Sequence, residues 1–156
     1  MDGARILLVE DDEALCDLER RNLQIRGHVV SIAVDAKSAL AQLRASFFDL
    51  IILDINLPDL TGWDVLRTAL NEGRLQVLDV EGLGQRIPVV VLSAVRVSQG
   101  RLAEFRPLAY LPKPFPMDAL LRLAEEAAQR RYTGAGYEPR MADVEYSLSD
   151  EEELHA

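Results

Sequence analysis

Three short runs of aliphatic residues constrain the fold more than any other feature of this chain. They are Ile6 to Val9, Leu50 to Leu53 and Val89 to Leu92. A continuous apolar run of this length indicates a strand buried on both faces, which occurs mainly in parallel sheets covered by helices. Two weaker strands are predicted at Val29 to Ala33 and at Ala109 to Leu111.

Segments with helical spacing separate these strands. Apolar residues recur on one side of a helix at Leu15, Leu18 and Ile25, at Ala36, Ala39, Leu40 and Leu43, at Val65, Leu66, Ala69 and Leu70, and at Met117, Leu120, Leu121 and Ala124. Alternating strands and helices predict an α/β fold, a doubly wound five-stranded parallel sheet between two helical layers.

Two segments fit this alternation less well. Residues 71–86 contain Gly73, Gly82 and Gly84, and we interpret them as an inserted loop with at most a short turn of helix. Residues 96–107 carry a poor apolar stripe, so the helix expected there has the weakest support.

Polar residues follow the predicted strands at their carboxyl ends. Glu10 and Asp11 follow the first run, Asp54 the central one and Ser93 the next, and Lys113 comes shortly after the last strand. The carboxyl ends of parallel strands share one edge of a sheet, and ligands bind in the crevice there. We therefore expect these residues to converge.

The convergence of three carboxylates points to a bound cation. Carboxylates gathered in a partly apolar cleft repel one another. Mg²⁺ relieves that repulsion because it prefers oxygen ligands and commonly sits beside a phosphate. Lys113 and Ser93 supply a positive charge and a hydroxyl donor for phosphoryl oxygens. These are the parts that phosphoryl transfer to an aspartate needs.

Each of these residues also has a simpler interpretation. Taken alone, Asp54 suits a turn cap, Ser93 a strand-end hydroxyl and Lys113 a surface amine; only their joint placement favours a site. Tyr110 suits plain packing nearly as well as a functional role. Asp12 precedes a helical stripe, and we predict that it is a helix N-cap and not a ligand.

Composition and charge limit the cellular locations and the classes of binding partner that we expect for this chain. With 156 residues and a net charge of −9, the chain suits one domain and lacks the basic face that nucleic acid requires. No apolar stretch is long enough for a membrane span, and the single cysteine, Cys16, cannot form an intrachain disulfide. We expect a cytoplasmic protein with a folded domain at residues 4–131 and a flexible acidic tail at residues 132–156.

Four motifs together resemble the receiver domain of bacterial two-component response regulators, the CheY-like family. They are Leu8-Val9-Glu10-Asp11-Asp12, Asp54-Ile55-Asn56-Leu57-Pro58-Asp59-Leu60-Thr61-Gly62, Val91-Leu92-Ser93-Ala94 and Tyr110-Leu111-Pro112-Lys113-Pro114-Phe115. Each motif is weak alone, but four in this order are specific. The resemblance covers about Ala4 to Arg131 and implies the flavodoxin-like (β/α)5 form of the predicted fold.

The resemblance also implies a magnesium site and a phosphoacceptor. Asp54 would accept the phosphoryl group from a histidine kinase or a histidine phosphotransfer protein. Asp11 and Asp54 would bind Mg²⁺ through their side chains and Asn56 through its backbone carbonyl, with Glu10 acting through coordinated water. The chain would catalyse only its own phosphorylation and dephosphorylation.

Three further residue roles follow from the same resemblance. Ser93 and Lys113 would hold phosphoryl oxygens, and Lys113-Pro114 would be a cis peptide bond. Ser93 and Tyr110 would form the switch that changes a protein-interaction surface. The downstream partner is not identified by the sequence, which also leaves homodimerisation open.

The resemblance favours a stand-alone receiver that acts through protein partners. Two other functions compete with it. A haloacid-dehalogenase-type phosphohydrolase also uses a strand-end aspartate with Mg²⁺, but it needs a general acid two residues later, where this chain has Asn56. A receiver-like binding module without phosphorylation would not need the acidic, hydroxyl and lysine positions that are all present here.

Overall fold

The computed structural model describes residues 3–78 and 84–133 and contains twelve elements of secondary structure within them. The strands are β1 (Arg5–Val9), β2 (Val29–Ala33), β3 (Leu50–Asp54), β4 (Gln76–Leu78), β5 (Gly84–Arg86), β6 (Val89–Ser93) and β7 (Ala109–Pro112). The helices are α1 (Glu13–Ile25), α2 (Ala36–Ala45), α3 (Gly62–Asn71), α4 (Gln99–Phe105) and α5 (Met117–Thr133).

Five strands form one parallel sheet in the order β2-β1-β3-β6-β7. Helices α2, α3 and α4 bury their apolar residues against one face, and α1 and α5 pack on the other. The predicted doubly wound, three-layer fold is therefore confirmed. The strand order changes direction at β1, which places the crevice predicted for ligands between β1 and β3.

The central strand β3 shows why its sequence is continuously apolar. All five of its residues are buried. Leu50 and Ile52 point into the core beneath α1 and α5, whereas Ile51 and Leu53 point into the core beneath α2, α3 and α4. Both sides of the strand are covered, so neither set of alternating positions can be polar.

The buried side of α1 differs from the prediction. Its buried residues are Cys16, Glu19 and Leu23, whereas Leu18 and Ile25 are 52% and 82% exposed. The apolar stripe expected at Leu15, Leu18 and Ile25 was thus wrong. Glu19 lies at the centre of the buried side of α1. A search for apolar residues at helical spacing does not find this side, because glutamate is not counted as apolar.

The inserted segment also differs from the prediction. The structure has a short antiparallel pair, β4 with β5, where we expected a loop with a turn of helix. The Ile87 N–H donates to the carbonyl of Leu75 at 2.7 Å, and both side chains are buried in the core. Two apolar residues therefore anchor the base of the hairpin, and its tip lies outside the described residues.

Helix α4 is present but spans only seven residues. It buries Leu102 and Phe105, and the ring of Phe105 stacks on Trp63 of α3 with centroids 5.3 Å apart. Arg106 ends the helix in a left-handed conformation with φ of 49°. Two buried side chains explain why this helix had so weak an apolar pattern.

Two further sequence expectations concern the cellular location and the acidic tail. Among residues 3–78 and 84–133, no helix combines the length and apolar character needed to cross a bilayer. The expected cytoplasmic location stays a prediction. Nearly all of the acidic tail predicted at residues 132–156 lies outside the described residues, and that prediction also stands untested.

The buried carboxyl of Glu19 makes stability depend on pH. Both of its oxygens lack a hydrogen-bond partner among the described residues, and burial followed by the charge of Glu10 raises its pKa to about 8. The folded state then binds more protons than the unfolded state between about pH 4.5 and 8, so this group costs stability as the pH rises through that window. Glu19→Gln should be within about 1 kcal/mol of wild type at pH 5 and more stable by about 3 kcal/mol at pH 8, measured by urea unfolding.

The matched control is Glu13→Gln, on the exposed first turn of the same helix. This substitution should give no comparable gain between pH 5 and pH 8. Equal pH slopes for wild type and Glu19→Gln would show that Glu19 is not buried in the unpartnered form described above.

Candidate functional site

The parallel register brings the polar residues predicted for the site to one rim of the sheet. Val9 of β1 pairs with Leu53, and Asp54 at the end of β3 pairs with Leu92. Ser93 in turn pairs with Pro112, directly before Lys113. As the sequence predicted, these polar residues lie at the carboxyl ends of four adjacent strands: Glu10 and Asp11 after β1, Asp54 at the end of β3, Ser93 at the end of β6 and Lys113 after β7.

A lysine bridges two buried carboxylates at the centre of this rim. The Lys113 Nζ atom lies 2.8 Å from Oε1 of Glu10 and 2.9 Å from Oδ2 of Asp54. Glu10 is fully buried and Asp54 is 4% exposed. At such depth the attraction between opposite charges is strong, but so is the cost of removing each charge from water, and the three groups depend on one another.

The pKa values of the bridging groups reflect this balance. Burial and the neighbouring carboxylate of Asp54 raise the pKa of Glu10 to about 7, against the lowering effect of Lys113. Burial alone would lower the pKa of Lys113, but its hydrogen bonds to Glu10 and Asp54 raise it above its ordinary value. The lysine therefore keeps its positive charge, and Glu10 is protonated more easily than an exposed carboxyl.

The carboxylates fit a divalent cation. One oxygen from each of Glu10, Asp11 and Asp54 lies within 4.8 Å of the other two, and Asp11 is exposed to solvent. The Oε2 atom of Glu10 is buried and has no hydrogen-bond partner among residues 3–78 and 84–133. A cluster of hard oxygen donors with one unpartnered carboxylate oxygen and one open side matches the ligand preferences of Mg²⁺.

Asn56 lies beside the carboxylate of Asp54. Its backbone N–H donates to Oδ1 of Asp54 at 2.9 Å, and its backbone forms a bridge with Thr61. Both oxygens of Asp54 thus have partners, one on the backbone and one on Lys113. This arrangement holds the Asp54 side chain in one orientation at the end of its strand.

Ser93 and Tyr110 meet at a shared acceptor, the carbonyl of Val95. The Ser93 hydroxyl donates to that carbonyl at 2.6 Å and accepts from the Val95 N–H at 3.1 Å. The Tyr110 hydroxyl donates to the same carbonyl at 3.4 Å, and its ring is buried in the core beneath α4. The two residues predicted to form the switch are therefore connected, although the serine hydroxyl bonds within its own turn and not to Asp54.

Two smaller predictions at this rim are confirmed. The Lys113-Pro114 peptide bond is cis. Asp12 is the N-cap of α1, and its Oδ1 atom accepts from the Leu15 N–H at 3.0 Å.

Sequence reasoning gave no functional role to Asp59. Its carboxylate accepts hydrogen bonds from the Ala36 and Lys37 N–H groups at the start of α2. Ala36 and Lys37 are 23 and 22 positions from Asp59 in the sequence, so no local sequence pattern predicts these hydrogen bonds. Glu19 was missed for a related reason, because a glutamate in a helical stripe is normally read as exposed.

Comparisons with known proteins agree with this geometry. The model of the response regulator receiver domain matches residues 6–125. Response regulator MprA of Mycolicibacterium vanbaalenii is 34% identical over 149 residues, 92% of this chain and 59% of that protein. Response regulator protein PmrA of Pseudomonas aeruginosa is 37% identical over 132 residues, 83% of this chain and 54% of that protein. The chain spans little more than half the length of these two relatives.

The fold comparison gives the same result. A CheY-like response regulator receiver domain protein from Methanospirillum hungatei superimposes with a TM-score of 0.67 at 27% identity, covering 84% of this chain and 98% of that one. The family match covers most of the residues that form the parallel sheet and its helices. The chain belongs to the response regulator receiver domain family of two-component systems.

Proposed function

We propose that Asp54 accepts a phosphoryl group from a histidine kinase or a histidine phosphotransfer protein, in a reaction that depends on Mg²⁺, and thereby switches a protein-interaction surface. The observation that carries the proposal is the contact of one lysine with both Glu10 and Asp54, 2.8 Å and 2.9 Å away, at the rim where Asp11 also lies. A structural salt bridge would not need a third carboxylate within 4.8 Å.

The transfer is a displacement at phosphorus. An Asp54 oxygen forms a bond to phosphorus while the bond from phosphorus to the donor's histidine nitrogen breaks, and its electron pair stays on the imidazole. Mg²⁺, held by Asp11, Asp54 and the Asn56 carbonyl with Glu10 acting through coordinated water, would neutralise charge on the phosphoryl oxygens. Hydrolysis of the product by water returns the Asp54 carboxylate and releases phosphate.

Lys113 supports both the resting and the phosphorylated state. At rest its ammonium compensates two buried carboxylates. When the phosphoryl group arrives, the ammonium has a stronger acceptor within reach, because phosphoryl oxygens carry more charge than a carboxylate. Lys113 can then replace its bond to Asp54 with a bond to a phosphoryl oxygen without moving far. The added negative charge therefore keeps a positive partner.

The Val95 carbonyl provides a route from the phosphate to the surface. For the Ser93 hydroxyl to donate to a phosphoryl oxygen, it must release the Val95 carbonyl. The Tyr110 hydroxyl is then the remaining side-chain donor described at that carbonyl. The turn at Val95 leads directly into α4, so a change in this pair of hydrogen bonds biases the position of that helix.

Phosphorylation of Asp54 can be tested without the natural donor. Incubation with acetyl phosphate and Mg²⁺ should add the mass of one phosphoryl group, because the site itself supplies the nucleophile and its charge compensation. Asp54→Asn should abolish the addition in intact-mass spectrometry. Beryllofluoride with Mg²⁺ should likewise change the fluorescence of Trp63 in wild type and not in the variant.

Asp49→Asn is the matched control, because Asp49 lies just before β3 and Asp54 ends it. This variant should accept the phosphoryl group as wild type does. An unmodified wild-type mass, or modification that survives in Asp54→Asn, would contradict the proposal. Sustained hydrolysis of an aryl phosphate over many turnovers would favour a phosphohydrolase instead.

Loss of the lysine should expose the repulsion that it compensates. Lys113→Ala leaves two buried carboxylates without their cation, which should lower the free energy of unfolding by about 3 kcal/mol at pH 8. Saturating Mg²⁺ should restore more stability to this variant than to wild type, because the ion binds the same carboxylates. Lys37→Ala, at an exposed lysine of α2, is the control and should behave as wild type. Thermal and urea unfolding with and without Mg²⁺ measure both effects; equal stability of the two variants would contradict the role of Lys113.

A further inference from the structure

The carboxylate of Asp59 joins two parts of the chain that the sequence keeps apart. Its Oδ1 atom accepts from the Ala36 N–H at 2.9 Å and its Oδ2 atom from the Lys37 N–H at 3.1 Å. A further bond comes from the Leu60 N–H at 3.0 Å. The hydrogen bond from Ala36, followed by those from Lys37 and Leu60, lowers the pKa of Asp59, so the carboxylate is charged wherever the protein is folded at neutral pH.

These contacts match a need at the start of α2. The first N–H groups of a helix have no partner within the helix, and the helix dipole favours a negative charge there. Asp35 is the N-cap of α2 and accepts from the Ser38 N–H at 2.7 Å. Asp59 satisfies the two donors before it, on Ala36 and Lys37, and so shares the end of the helix with Asp35 without duplicating its bond.

The loop that carries Asp59 begins at Asp54, the proposed phosphoacceptor. It leaves β3 at Asp54 and returns to α3 at Gly62, and its base is closed by the Gly62 N–H donating to the Ile55 carbonyl at 2.8 Å. A Cβ atom on Gly62 would lie 2.9 Å from the Asp54 carbonyl oxygen, so only glycine allows the base to close so tightly. Beyond this base, Pro58, Asp59 and Leu60 are exposed.

The tip of the loop therefore depends on Asp59 for its position. Pro58 has no N–H to donate, and the exposed tip has few buried contacts to hold it. Asn56 lies between the closed base and the tip, and its N–H bonds the acceptor carboxylate. Asn56 and the tip belong to the same short loop, so an anchored tip restrains the backbone that carries the Asn56 N–H.

We propose that Asp59 is a positioning residue for the phosphorylation site: by binding the start of α2, it restrains the loop after β3 and so fixes the backbone of Asn56, whose N–H donates to Asp54 and whose carbonyl is the proposed Mg²⁺ ligand. This inference rests on the proposed function, because it assigns Asp59 a role in that same site. Asp59 does not touch the metal or the phosphoryl group, and its effect passes through Asn56.

The test compares two aspartates at the same helix end. Mg²⁺ affinity is measured by isothermal titration calorimetry on the full chain for wild type, Asp59→Ala, Asp59→Asn and Asp35→Ala, and thermal unfolding is measured in parallel. Both alanine variants remove a carboxylate from the start of α2, so both should lose stability. Only Asp59→Ala releases the loop, and it should weaken Mg²⁺ binding by about tenfold, the lower end of what loss of an outer partner costs a metal site.

The conservative variant refines the result. Asp59→Asn keeps one acceptor oxygen and should fall between wild type and Asp59→Ala, with Asp35→Ala within about twofold of wild type. An equal loss of affinity in Asp59→Ala and Asp35→Ala, or none in Asp59→Ala, would overturn the positioning role. If wild type and Asp35→Ala both fail to bind Mg²⁺, the proposed function itself fails, and the role of Asp59 fails with it.

Discussion

The ion triad of Glu10, Lys113 and Asp54 is the interaction on which the rest of this site depends. Two carboxylates buried at the end of a parallel sheet repel each other, and the ammonium lies within 2.9 Å of both. Among the described residues, this cluster leaves one Glu10 oxygen without a hydrogen-bond partner, and such an oxygen is suited to a cation or to water bound to it. Under the proposed function, stability and phosphorylation depend on the same groups, because the cation that compensates the carboxylates also lies beside the proposed phosphoacceptor, Asp54.

The sheet explains how residues more than 100 positions apart form this triad. Strand β3 is buried on both faces within the parallel order β1-β3-β6-β7, so the side chains at the carboxyl ends of β1, β3 and β7 emerge at one rim. The two cores hold the strands from either side, and the loops at the rim are then fixed by a few specific contacts. Asp59 bonds to α2, and Ser93 and Tyr110 share the Val95 carbonyl. The apolar cores fix the strands, and these few polar contacts fix the loops that surround the carboxylates at the rim.

Much of this arrangement could be predicted from the sequence, and the exceptions have a common cause. Aliphatic runs mark the buried strands because such strands tolerate no alternation, and the residues after them follow from the shared edge of a parallel sheet. The stripe of α1 was misread because Glu19 stands where an apolar residue is expected. The β4–β5 hairpin was read as a loop because two short strands with glycines lack a clear period. The bonds of Asp59 and Tyr110 depend on where loops meet in space, and residue type alone does not specify that.

The central claim is that the three carboxylates at the rim, Glu10, Asp11 and Asp54, form one metal site. Paramagnetic broadening by Mn²⁺ in the NMR spectrum of the ¹⁵N-labelled chain tests this claim directly, because broadening falls off steeply with distance from the ion. We predict that low Mn²⁺ broadens the amide signals of Glu10, Asp11, Asp54 and Asn56 first, and that excess Mg²⁺ restores them. Broadening centred on other acidic residues, such as Asp17 or Glu104, with the rim signals unchanged would contradict the account.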